Sequence, residues 1–156
     1  MKLATLCYVI DKKNNATLML HRIKKKNDYH EGKWNGLGGK FLPGETPEEC
    51  AAREIKEESG LIVKSLKMKG FISFPLFDKK DDWYVFIFTA DQFEGELLDS
   101  ADGMLKWIPN EKLFDLNLWD GDKIFMEWIF REKPAFFSAK FVYKDGKFIK
   151  HEVKFY

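Results

Sequence analysis

Within residues 39–61 (GKFLPGETPEECAAREIKEESGL), three glutamates stand at 54, 57 and 58, a spacing of i, i+3 and i+4. On a helix that spacing gathers them into an arc of about 100°, so the three carboxylates share one side. Like charges at i, i+4 cost a helix roughly 0.2–0.5 kcal/mol per pair, and an ordinary solvated face alternates Glu with Lys. The lysine among them, Lys56, points the other way. A hard divalent cation accounts for the cluster, because Mg²⁺ takes oxygen ligands from a few carboxylates plus waters and substrate phosphates. The bland alternative is a solvent-facing acidic stripe in which Arg53 pairs with Glu57 at i+4.

The elements around the glutamates favour the first reading. Gly36, Gly38, Gly39 and Gly44 precede them, so the backbone there turns tightly or approaches another group closely. Folded against the helix, such a loop can lend a carbonyl to a metal and approach phosphates, with Glu45 and Arg53 as an ion pair locking loop to helix. The helix is well marked. Thr46 suits the N-cap, Pro47 the first helical position, Glu49 completes a capping box and Gly60 ends it.

Gly39, five residues, Glu45, seven residues, Arg53-Glu54-Ile55, one residue, Glu57-Glu58, one residue, Gly60-Leu61: this order resembles the Nudix box with no position missing. The resemblance implies an α+β fold, an α/β/α sandwich with a mixed sheet in which the box forms loop–helix–loop. It implies Mg²⁺, or Mn²⁺ as a substitute, held by Glu54, Glu57 and Glu58 with the carbonyl of Gly38. It also implies hydrolysis of a nucleoside diphosphate linked to another group, with Glu54 and Glu57 in the catalytic set and Arg53 and Glu45 supporting them. The general base is Glu54, Glu57 or a carboxylate outside the box. Among Glu94, Glu96, Asp99 and Asp102, the reading favours Asp102, five residues before Trp107, as a further ligand or base; otherwise it is an exposed loop acid.

The likeness continues outside the box. Lys33-Trp34-Asn35-Gly36-Leu37-Gly38-Gly39-Lys40 is similar to the segment before the box in MutT-type hydrolases of oxidised purine nucleotides, the 8-oxo-dGTP diphosphatases, and their mammalian homologue. So is the tail, where Trp119-Asp120-Gly121-Asp122 opens a helix. Carried over, Trp119 stacks on the purine and Asn35 and Asp122 bond its edge, with Asp120, Phe74, Gly39 and Lys40 as further substrate contacts. One departure stands out: the mammalian pattern has two adjacent Asp after Trp and Pro, whereas this chain reads Asp120-Gly121-Asp122, so one purine-reading acid is displaced or lost. The bland readings are that Asp120 and Asp122 cap the helix, that Trp119, Trp83 and Phe74 are core, and that Lys24, Lys25 and Lys26 are a solvated charge run. No role falls to His21, His30 or His151.

The rest of the chain supports one domain over residues 1–156. Strands are expected at 3–10, 17–22, 61–74, 83–90 and 104–108, a helix at 120–132, and a hairpin of 136–143 and 147–155 around Lys144-Asp145-Gly146. Residues 24–33 read as a loop. A formal charge of +1 lacks the basic footprint of a long nucleic-acid binder but does not exclude a single nucleotide. No apolar run reaches the roughly 18–20 residues of a membrane helix, and the start reads as a strand rather than a secretory signal. Cys7 and Cys50 read as buried reduced thiols, so the cytoplasm is the expected compartment. A monomer or weak dimer is expected. Of the functions, an 8-oxo-dGTP diphosphatase comes first. Next is a Nudix enzyme for ADP-ribose, a dinucleoside polyphosphate or dihydroneopterin triphosphate, with Pro75 near the spacing seen in ADP-ribose hydrolases. Last comes a non-catalytic nucleotide sensor, which usually lacks box carboxylates that are all present here.

Overall fold

The computed structural model describes residues 1–24, 26 and 30–156. Its central strand, β1 (Lys2–Asp11), is apolar on both faces because it is covered on both. Cys7 and Val9 enter one buried cluster and Tyr8 the other, the alternation that a pleated strand imposes. Along one edge β1 runs parallel to β7 (Trp83–Ala90). Its other edge is divided: residues 4–7 pair with β4 (Leu37–Lys40) and residues 9–11 with β2 (Ala16–His21), both antiparallel. Outward from β7 come β6 (Lys67–Phe74), β10 (Phe137–Lys144) and β11 (Lys147–Phe155). Outward from β2 come β3 (Trp34–Asn35) and β9 (Met104–Pro109). The sheet is mixed, with β6 parallel to β10.

Two helices cover opposite faces. Helix α1 (Pro47–Ser59) sends Ala51 and Ile55 into the cluster of Cys7, Leu20 and Leu37. Helix α2 (Asp120–Phe130) sends Phe125, Met126 and Ile129 into the cluster of Tyr8, Ile87 and Phe141. The α/β/α layering follows from that division. The expected cap is formed: Thr46 Oγ1 accepts the Glu49 amide at 3.1 Å, the Glu49 carboxylate accepts the Thr46 amide at 3.0 Å, and Gly60 ends the helix at φ 81°. In the β10–β11 turn, Asp145 (φ 52°) and Gly146 (φ 76°) both take left-handed backbone, which a two-residue hairpin turn requires.

Three expectations need correction. Residues 61–74 are not one strand: β5 (Ile62–Val63) pairs with β8 (Phe93–Glu94) in a separate small sheet, and β6 starts only at Lys67. The polar Lys64-Ser65 pair breaks the run, and the Lys64 amide donates to the Gln92 carbonyl at 2.8 Å. Helix α2 ends at Phe130, before Glu132, where Arg131 turns extended. The Gly-rich segment is not all loop: Leu37–Lys40 form the strand β4 against β1 and α1, while residues 41–46 lie outside strand and helix. Residues 24–33 lie outside the strands where described, and Lys25 falls outside the described residues. Among the described residues no helix is long and apolar enough to cross a membrane. Cys7 and Cys50 are buried and free.

Candidate active site

The box is held together by Arg53. Its Nε and Nη2 donate to the two Glu45 oxygens at 2.7 and 2.9 Å, a paired contact that a planar guanidinium is shaped to make. Nη2 also donates to the Lys40 carbonyl at 3.0 Å, and Nη1 donates to Glu54 at 2.8 Å and to Glu57 at 3.2 Å. Glu45 Oε1 in turn accepts the Leu42 amide at 2.6 Å. The loop-to-helix lock and the i, i+4 pair with Glu57 are therefore both present. The bond from Arg53 holds the Glu45 carboxyl below its ordinary pKa.

Beyond this lock opens a cleft of about 530 Å³ between α1, the β1–β4 edge and the start of α2. Glu54 and Glu58, one turn apart, both line it, with Gly38, Gly39, Lys40 and Asp102. A Cβ on Gly39 would lie 2.6 Å from the Glu54 oxygens, so any side chain there would push the Glu54 carboxylate from its place. Gly38 is pressed onto the Thr5 carbonyl of β1, and its amide donates to Glu58 Oε1 at 2.9 Å. Burial pushes the Glu58 carboxyl up to about 8, against the Gly38 amide, with the negative charges of Glu54 and Asp102 adding to the rise. Burial also raises Glu54, and Arg53 opposes it. Glu57 lies outside the cleft lining, 60% exposed.

The donors suit a hard divalent cation. Two half-buried carboxylates, both raised chiefly by desolvation, offer oxygen ligands only. Among the described residues no group of three or more His, Cys, Asp or Glu is placed to hold a metal ion by itself. A hard divalent cation held by one or two carboxylates completes its shell with waters and substrate phosphates.

The other end of the cleft is aromatic. Trp119 (8% exposed) and Phe74 line it and also pack in the core. Asn35 lines it too, and among the described residues its buried Oδ1 has no hydrogen-bond partner. Asp122 is buried at the wall, and desolvation pushes its carboxyl up to about 7, with Lys33 pulling the other way. Neither acid caps α2. Trp119 is the N-cap residue and its side chain makes no capping bond, and Asp120 is exposed and outside the lining.

Several lining residues were not anticipated. Arg22 stands at the glutamate end. His30 and Phe77 flank the aromatic end, and the Trp119 indole N–H donates to His30 Nδ1 at 2.8 Å. Tyr143 meets Trp119 edge-on at 5.5 Å. Trp83, for which core is the bland reading from sequence, lines the cleft, and its indole N–H donates to Asp78, whose carboxyl is held down at about 2 chiefly by the Asp81 and Lys80 amides. Inward alternation along residues 137–143 was a readable signal for Tyr143; His30 and Arg22 carried none. Lys24 is outside the lining and bonds Asp99 and the Ser100 carbonyl, each at 2.7 Å.

Residues 1–129 match the family of the NUDIX domain. The chain is 38% identical over 117 residues to the oxidized purine nucleoside triphosphate hydrolase of Danio rerio, covering 75% of each. It is 35% identical over 128 residues to the ADP-ribose pyrophosphatase of Methanocaldococcus jannaschii, covering 77% of this chain and 70% of that one. The crystal structure of the mutator MutT protein from Bacillus halodurans superposes with a TM-score of 0.84 at 29% identity, over 99% of this chain and 98% of that one. With the box complete, its glycines pressed against α1 and β1, and the sandwich formed around them, this chain belongs to the Nudix family.

Proposed function

We propose that this chain hydrolyses oxidised purine nucleoside triphosphates, 8-oxo-dGTP first among them, to the monophosphate and pyrophosphate, and so cleanses the nucleotide pool of the cytoplasm. The observation that carries the reading is one cleft with two ends: Glu54 and Glu58 at one, and Trp119, Asn35 and Asp122 at the other. An anionic polyphosphate and a flat base need those two chemistries in one cavity. The likeness to the zebrafish hydrolase supports the same substrate class. The sheet continues through residue 155, past the matched residues 1–129, which supports residues 1–156 as one working unit.

Nudix hydrolases use divalent metal ions, and Mg²⁺, with Mn²⁺ as substitute, is the ion proposed for Glu54, Glu57, Glu58 and the Gly38 carbonyl. When bound, such an ion supplies charge neutralisation and Lewis acidity at the phosphoryl oxygens. The chain's own residues do the positioning. Arg53 and Glu45 keep the glycine loop against α1, Gly39 leaves room beside Glu54, and Lys40 extends a cation at the rim. Asp102, near Glu58, is a further ligand or the base that takes the proton from water. Trp119 stacks on the base, Asn35 and Asp122 meet its edge, and Phe74 closes the wall. Asp120, exposed on the first turn of α2, is the outermost member of the proposed substrate set.

The archaeal relative supports a second reading, ADP-ribose. A Mg²⁺-dependent panel separates them: kcat/KM for 8-oxo-dGTP should exceed that for dGTP, ADP-ribose and diadenosine polyphosphates, and Glu57→Gln should lower turnover by orders of magnitude on a folded protein. ADP-ribose as the best substrate would replace the first reading. Glu57→Gln activity within about threefold of the parent would remove Glu57 from the metal set.

A further inference from the structure

Tyr143, at the inward end of β10, is 7% exposed and lines the cleft. Its ring stands edge-on to Phe77 (5.2 Å, 85°) and Trp119 (5.5 Å, 88°). Its hydroxyl accepts the Gly121 amide at 2.6 Å, a buried contact that fixes the phenol against the first turn of α2. Gly121 is also where this chain departs from the mammalian pattern of two adjacent acids. A Cβ on Gly121 would lie 2.6 Å from the Tyr143 hydroxyl and 2.6 Å from a ring carbon of Phe141, closer than real Cβ contacts come. Both neighbours are buried aromatics and cannot swing aside. An acid at 121 and a phenol at 143 therefore exclude each other, because the phenol occupies the space where the acid's side chain would begin.

We infer that Tyr143 is a specificity-determining residue: its hydroxyl, oriented by the Gly121 amide, is a polar contact to the edge of the bound purine in place of the second carboxyl. This rests on the purine reading above. An ionised carboxylate only accepts hydrogen bonds and so demands an N–H on the base, whereas a phenol both donates and accepts. With one carboxyl, Asp122, and one phenol, the wall offers the purine edge a donor as well as acceptors.

The test is Tyr143→Phe, assayed on 8-oxo-dGTP, 2-oxo-dATP, dGTP and the pyrimidine control dCTP. Loss of one substrate hydrogen bond should raise KM for the oxidised purines about tenfold, with kcat within twofold and dCTP unaffected. The selectivity among purines should change accordingly. Binding of 8-oxo-dGMP without metal, followed by tryptophan fluorescence, should weaken by a similar factor. If Tyr143→Phe does not fold stably, a crystal of the parent protein with 8-oxo-dGMP decides: the phenol oxygen should lie within hydrogen-bond distance of the purine edge, and a phenol bonded to the Gly121 amide alone would overturn the assignment. Equal losses on every nucleotide, a change confined to kcat, or no change within twofold would overturn the assignment and leave the purine reading standing. A parent protein that neither hydrolyses purine triphosphates nor binds 8-oxo-dGMP would remove both.

Discussion

Asp122 shows at the scale of one residue what the cleft costs the fold. Its carboxyl is buried, and desolvation carries it from the ordinary 3.8 to about 7. A folded pKa above the unfolded one means that its contribution to stability is complete below pH 3.8 and is lost as pH rises through about 7. Asp122→Asn removes that loss. The variant should melt increasingly above the parent as pH goes from 5 to 8 in metal-free thermal unfolding, while its affinity for 8-oxo-dGMP falls. A melting difference constant across that range would mean that Asp122 is solvated in solution. The identity of Asp122 as a candidate was legible from Trp119-Asp120-Gly121-Asp122 and the resemblance it carries. Its burial was not, because burial depends on Tyr8, Phe125 and β10, which come from other parts of the chain.

At the scale of elements, the loop–helix unit is the part most completely written in the local sequence. Thr46, Pro47, Glu49 and Gly60 act within a few residues of themselves, so the cap could be read directly and is present. The Glu45–Arg53 pair spans eight residues and was equally readable. Arg53→Lys keeps the charge but loses the fork that grips both Glu45 oxygens and the Lys40 carbonyl. Loss of one to two charge-assisted hydrogen bonds should cost about 1.5–3 kcal/mol, or roughly 3–12 °C of melting temperature for a domain of this length. Turnover should fall more than KM changes, since the glycine loop and Glu54 lose their shared support. Unchanged melting and turnover would show the lock to be ornamental. Residues 61–74 were misread for the opposite reason: whether an apolar run is one strand or two depends on β8 and β7, its partners across the chain.

At the scale of the whole molecule, Glu58 couples stability to the ion the site is proposed to hold. Its folded pKa of about 8 lies above the ordinary 4.5, so the metal-free protein loses this contribution as pH rises through about 8. A cation restores it, and protons compete with the cation. The rise in melting temperature on adding Mg²⁺ or Mn²⁺ should therefore be larger at pH 8 than at pH 6. In Glu58→Gln, which keeps an acceptor for the Gly38 amide, the pH dependence should flatten and the metal-free protein should gain stability at pH 8. An equal metal-induced shift at both values would separate Glu58 from the cation.

What the chain's order of residues determined alone was everything set by short-range geometry: the capped helix, the glutamate spacing on it, the Asp145-Gly146 turn and the family those residues mark. Only the folded molecule decided that Glu54 and Glu58 face the cleft while Glu57 faces solvent, and that His30, Tyr143 and Trp119, drawn from distant segments, form one wall. The physical reason is reach. Caps and helical spacing act over a turn of backbone, whereas a cavity is made where strands far apart in the chain are brought side by side by the sheet.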